Sequence, residues 1–232
     1  MTPTEGLRGV QARLEAAARR AGRSPDEVTL VGVAKTVPAD RIRPVVAAGL
    51  RHIGENRVQE AVSKIDALAG LTPKPQWHLV GHLQSNKAVR AAALFDWIHS
   101  VDSEDLARRL DRAAAARGAP LNVLIQVDLG REATKHGIAE TQVLALARAL
   151  APLPHLRLAG LMTIPPLLET PEGSRRYFRR LRALRDEAAA AGISLPELSM
   201  GMSLDLEVAV EEGATMIRVG RALFGERPAA IG

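Results

Sequence analysis

The chain has 232 residues, 47% hydrophobic and 25% charged, and contains no cysteine. This ordinary globular composition excludes disorder and low-complexity sequence. The absent thiols exclude disulfides, thiolate nucleophiles, iron–sulfur clusters and cysteine zinc sites. The net charge of +5 raises nucleic acid as a partner, but one Tyr, three Phe and two Trp make no platform for stacking bases.

Hydrophobic periodicity sorts the chain into a repeating order. An amphipathic helix spans 5–20. TLVGVAK (29–35) is a short apolar strand rich in β-branched residues, followed by a helix ending at Gly49. HIGEN (52–56) is a second strand before the helix VQEAVSKIDAL. QWHLVG (76–81) is a third, with Ser85 a plausible N-cap of the helix after it. WIHSVD (97–102) is a fourth, and Ser103 caps a helix that Gly118 stops. LNVLIQVDL (121–129), LRLAGLMTI (156–164), ELSMG (197–201) and TMIRVG (215–220) complete the strands. The Arg-rich helix SRRYFRRLRALRDEAAAAG lies before the seventh, and a short piece, RALFGE, follows the eighth. Those arginines read as a solvated helix face.

Eight near-continuous apolar strands alternating with helices imply a parallel sheet covered on both faces. An open doubly wound sheet would fit. The count of eight and the length favour an α/β fold of another kind, a single-domain (β/α)8 TIM barrel with an additional N-terminal helix. No linker divides the chain, so residues 1–232 are expected to form one domain.

Barrel chemistry sits at the C-terminal ends of strands. Alternation puts Val31, Val33 and Lys35 on one strand face. If that face is interior, Lys35 lies at the floor of a pocket, where desolvation favours a neutral amine able to form a Schiff base. The alternative is a lysine whose head reaches solvent. Gly201 and Ser203 follow strand seven, and Gly220 and Arg221 follow strand eight. Those two loops are a common barrel phosphate site, although either glycine could serve turn geometry alone. Glu55, Asp102 and Asp128 are strand-end carboxylates that could be bases, caps or ion-pair partners. His78, His82 and His99 lack a close repeated spacing with carboxylates, so no metal site is expected.

VGVAKT, HIGENRVQE, WHLVGHLQSNK, FDWIHSVDS, LNVLIQVDLGREATKHGI, LAGLMTIPP and LSMGMSLDLEVAVEEGATMIRVGRALFG, in that order from about 31 to 227, give the chain a resemblance to the pyridoxal phosphate homeostasis proteins. These are single-domain barrel relatives of the alanine racemase N-terminal domain. The resemblance implies that Lys35 carries pyridoxal 5′-phosphate (PLP) as a Schiff base. It implies that Ser203 and the Gly220 backbone hold the phosphate, and that Arg218 faces the pyridine nitrogen. Asn56, His78 and Met162 match positions around the cofactor. The family often has Thr where this chain has Arg221, which leaves open whether that side chain meets the phosphate or turns outward. The implied role is intracellular PLP homeostasis, buffering the cofactor or delivering it to PLP-dependent apoenzymes, without turnover. The alternative is a PLP-dependent racemase or related carbanion-forming enzyme. Against it stand Arg218 and the lone Tyr177, which falls in the Arg-rich helix. A monomer is expected, in the cytoplasm, since no signal peptide or run of ~18 apolar residues is evident.

Overall fold

In the computed structural model, which describes residues 2–130 and 136–225, eight strands pair side by side, all parallel, until the sheet closes on itself. They are β1 (Thr29–Val33), β2 (His52–Glu55), β3 (Gln76–Leu79), β4 (Trp97–Val101), β5 (Leu121–Asp128), β7 (Leu156–Met162), β8 (Glu197–Ser199) and β9 (Met216–Val219). β1 pairs with β9 through Val31↔Arg218, and β4 pairs with β5 through Ile98↔Val123, which completes the ring. The expected barrel is therefore present. Each strand ends one or two residues before its apolar run does, because the last residues leave the ladder to enter the loops that carry the site. A two-residue β6 (Ile138–Ala139) was not foreseen; it pairs with the end of β5.

The outer layer consists of α1 (Pro3–Arg20), α2 (Ala39–Ala47), α3 (Val58–Ala67), α4 (Ala88–Leu94), α5 (Glu104–Ala114), α6 (Val143–Leu150), α7 (Arg175–Ala190), α8 (Leu206–Glu211) and α9 (Arg221–Phe224). Ser103 caps α5 as expected, accepting from the Leu106 amide. Two expected boundaries move. A 3-10 turn at Ser85–Lys87 precedes α4, so Ser85 is not its N-cap. α5 ends at Ala114, ahead of Gly118, because Ala115 already caps it. The end of RALFGE, Glu226, and residues 131–135 of the VDLGREATKHGI stretch lie outside the described residues.

α7 buries Phe178, Leu181, Leu184 and Ala188 and turns its arginines outward onto carboxylates. Arg175 meets Glu172, Glu211 and Glu212, Arg180 meets Glu140 and Glu187, and Arg182 meets Glu212. Much of the basic run is neutralised locally.

The main core lies between strands and helices, while the barrel interior is filled separately. Trp97, Leu124, Ala159, Met162 and Met216 form one apolar plug, and Val31, Val33 and Val80 form a smaller cluster. The face shared by Val31 and Val33 is thus the interior one.

Neighbouring strands approach so closely at Gly160 that an added Cβ would lie 1.9 Å from the Glu197 carbonyl oxygen, backbone that cannot yield. Gly160→Ala should therefore cost at least about 3 kcal/mol, the upper end for overpacking. Gly9→Ala, on the exposed face of α1 with open space around it, should raise stability by about 0.5–1 kcal/mol. Urea unfolding of both variants checks the contrast.

Candidate functional site

Lys35 sits just past β1, on a tight turn in which the Val37 amide donates to the Ala34 carbonyl. Thr36 adopts φ +62°, a left-handed conformation that strains a β-branched residue. The turn is held from outside the barrel. Lys64, on α3, donates from Nζ to the Ala34 carbonyl at 2.7 Å and to Glu55 Oε1 at 2.6 Å. Glu55 is fully buried, and burial pushes its carboxyl above the ordinary range despite Lys64. Of the readings open for Glu55, the ion-pair partner is the one found, and the pair clamps the peptide just before Lys35. Sequence reasoning missed Lys64.

Beside the apolar plug the interior also carries a polar chain. His52 Nδ1 lies 2.9 Å from His78 Nε2, His78 Nδ1 lies 2.9 Å from His99 Nε2, and His99 Nδ1 lies 2.9 Å from Ser199 Oγ. Arg218 Nη1 donates to Ser199 Oγ at 2.6 Å and Nη2 to the Thr163 carbonyl at 2.8 Å. Trp97 stacks on His78, its ring 2° from parallel. Burial holds His78 and His99 well below the ordinary imidazole range, and the positive Arg218 adds to the effect at His99. Burial also lowers Arg218, to about 10.

The last two loops are laced together. The Ala222 amide donates to Ser203 Oγ at 3.2 Å, and the Arg218 amide donates to the Gly201 carbonyl at 2.9 Å. Gly201 has φ +89°, and a Cβ there would meet that of Ala209 at 2.4 Å. α1 braces this loop, since Arg13 bonds both Glu207 and the Ser203 carbonyl. Ser203 and Gly220 are half-buried beside one another at the start of α9, and the Arg221 side chain is exposed.

The structure thus brings Lys35, Arg218, Ser203 and Gly220 to one end of adjoining strands β1, β8 and β9. Asn56 follows β2 at the same end. His78 is fully buried in the imidazole chain, and Met162 belongs to the apolar plug. His52, His99 and Ser199 were not among the expected site residues. Tyr177 lies on the first turn of α7 in the outer layer, its hydroxyl bonded to Arg176.

His82, Asp102 and His136 also approach one another at this end. The two imidazoles stack face to face, with centroids 3.5 Å apart and planes 8° from parallel. A metal ion lies near the plane of each imidazole that ligates it, and two such parallel planes cannot share one ion. As placed, the trio is a stacked pair beside a carboxylate.

Residues 7–228 match the protein family described as alanine racemase, N-terminal domain. The chain is similar to a pyridoxal phosphate homeostasis protein of Aquifex aeolicus, 45% identical over 228 residues, which cover 98% of this chain and 99% of that one. It is 46% identical to a protein of the same name in Pseudomonas aeruginosa, over 97% of this chain and 96% of that one. Among solved structures it is similar to PipY of Synechococcus elongatus with PLP bound. The TM-score is 0.81 and the identity 45%, over 92% of this chain and 100% of that one.

Removing one partner of a buried ion pair costs about 3–5 kcal/mol. Lys64→Met should destabilise by that order near pH 7 and leave Glu55 as an unpaired buried carboxyl. Its folded-state pKa then rises further above the unfolded one, so the deficit against wild type should shrink as pH falls and Glu55 takes up a proton. Urea midpoints of both proteins from pH 8 to pH 4.5 check this.

The buried histidines have the opposite pH signature. Their folded pKa is depressed, so below about pH 6.5 the unfolded chain binds protons that the folded chain refuses. Wild-type stability should fall as pH drops below about 6.5, by up to about 1.4 kcal/mol per pH unit for each of His78 and His99. A profile of the Lys64→Met/Glu55→Gln double variant that stays flat from about pH 6.5 to 5, with the Glu55 contribution removed, would mean that these rings take up protons in the fold as they do in the unfolded chain.

Proposed function

This chain belongs to the alanine racemase N-terminal-domain family, and on that footing we propose that it binds PLP and serves intracellular PLP homeostasis. The observation that carries this reading is a buried guanidinium inside the barrel, hydrogen-bonded to a hydroxyl and a carbonyl, on the strand beside the one that leads into the Lys35 turn. The donor set suits the cofactor. Lys35 offers an amine to the aldehyde, which it holds as a Schiff base with loss of water. Ser203 and the Gly220 backbone offer donors to the phosphate. Arg218, which can only donate, suits the lone pair of the ring nitrogen. Asn56 lies at the same end, and His78 and Met162 belong to the buried barrel interior. Arg221 is exposed at the start of α9, beside Gly220, where its guanidinium can reach a bound phosphate from the solvent side.

Bound PLP supplies an electrophilic carbon and a ring that can accept electrons, most strongly when its nitrogen is protonated. Arg218 supplies no acid to that nitrogen and adds a positive charge that opposes protonation. The residues are therefore suited to hold the cofactor and poorly suited to sustain carbanion chemistry. The role is buffering PLP or delivering it to apoenzymes in the cytoplasm, by a chain that works as a monomer, and not amino-acid turnover.

Borohydride reduction of the PLP-loaded protein followed by mass mapping tests the assignment. The adduct should fall on Lys35, and an adduct on Lys64, Lys74 or Lys87 would overturn it. PLP should bind at least tenfold more tightly than pyridoxal, since charge-assisted hydrogen bonds contribute about 1.5–3 kcal/mol each. Ser203→Ala should narrow that ratio, and equal affinity for the two would refute the phosphate anchor.

A further inference from the structure

Arg218 is 4% exposed and hydrogen-bonds no carboxylate among the described residues. Asp205 exerts a favourable charge on it, but Asp205 Oδ1 accepts from the Met202 amide. A cation so placed needs dipoles in place of water. The groups that could provide them are the four that continue away from it, Ser199, His99, His78 and His52.

Hydrogen-bonding capacity fixes how those groups are protonated. A guanidinium only donates, so Arg218 occupies one lone pair of Ser199 Oγ. Ser199 is fully buried, and its Oγ has two partners among the described residues, Arg218 and His99. If His99 Nδ1 carried a proton, the hydroxyl would receive two donors and its own proton would face no acceptor. The hydroxyl therefore donates to His99 Nδ1. Neutral His99 then carries its proton on Nε2 and donates to His78 Nδ1. Neutral His78 likewise carries its proton on Nε2 and donates to His52 Nδ1. Every bond runs away from Arg218, and every imidazole turns its lone pair, the negative end of its dipole, toward the guanidinium. Aligned bonds of this kind polarise and strengthen one another.

We propose that His52, His78, His99 and Ser199 form a one-way hydrogen-bonded chain that solvates the buried guanidinium of Arg218 and holds it in the orientation that meets the ring nitrogen. Its members are positioning residues, and Arg218 sets its direction. The orienting role rests on the PLP reading given above. The solvating role does not.

Nitrogen-15 NMR of cofactor-free protein labelled at histidine tests the direction. Signals are assigned by replacing the four less buried histidines, His52, His82, His136 and His155, one at a time. His78 and His99 should both be neutral with the proton on Nε2. A proton on Nδ1 of His99, or an imidazolium, overturns the proposal. The chain predicts an asymmetry that mere packing would not. His52→Ala should leave His78 and His99 as they were, while Ser199→Ala or Arg218→Met should give His99 a mixture of tautomers. Unchanged tautomers in whichever of the latter two variants folds also overturn it. For the orienting role, PLP is compared with an analogue bearing CH in place of the ring nitrogen. Wild type should prefer PLP by about tenfold, and Ser199→Ala should bring the ratio near one. Equal wild-type affinity would refute Arg218 at the ring nitrogen and the orienting role with it, and the NMR result would then judge solvation alone.

Discussion

Closing a parallel sheet turns one face of every strand inward, and the space so enclosed must be filled to the density of a protein core. In this barrel the filling is layered. Trp97, Leu124, Ala159, Met162 and Met216 fill one layer with carbon and sulfur. His78, His99 and Ser199 fill the next with groups that satisfy one another, and Arg218 joins them. Histidine suits such a layer because a neutral imidazole has one donor and one acceptor at opposite edges, so rings can be chained without leaving a polar atom unpaired. Trp97 joins the two layers, since its indole stacks on His78 while its Nε1–H bonds Gln76.

The same economy operates outside the barrel. The turn at Lys35 has a strained Thr36, and strain persists only where the surroundings over-determine it. Lys64 and Glu55 provide that, at the cost of burying two charges between sheet and helix. The loop bearing Ser203 is fixed from the opposite end of the sequence, by Arg13 on α1, while Arg23 donates to the carbonyls of Val210 and Ala214 around α8. The N-terminal helix, which the eight-fold repeat does not require, is thus a brace for the last two loops.

The barrel was legible because buried parallel strands write themselves as apolar runs at the spacing of a strand–helix unit. β6 was not, since two residues carry no periodicity. Lys35 was legible as an amine closing a strand of valines. The imidazole chain is not legible as neighbours close in sequence. His52 and His78 are 26 residues apart, and His78 and His99 are 21 apart, about one strand–helix unit each. One histidine at an inward position on each of three successive strands is the signal that would have revealed it. The Lys64–Glu55 pair was hidden for a related reason. Nine residues separate them across the turn from β2 to α3, and only the tertiary packing of α3 brings Lys64 onto the Ala34 carbonyl.

The layers also bear on the proposal that the site holds its cofactor without transforming substrates. A carboxylate opposite a ring nitrogen brings a proton into the pocket and draws electrons into the ring. A guanidinium does neither, but it must be kept charged in a place without water, which pulls its pKa down. Neutral imidazoles relieve that demand without offering a base at the pocket, because each of their acceptor nitrogens is already occupied by the donor before it. The interior therefore stabilises a cation while withholding acid and base from whatever lies above it. The one free-running choice, the direction of the proton chain, is settled by the only member that cannot accept.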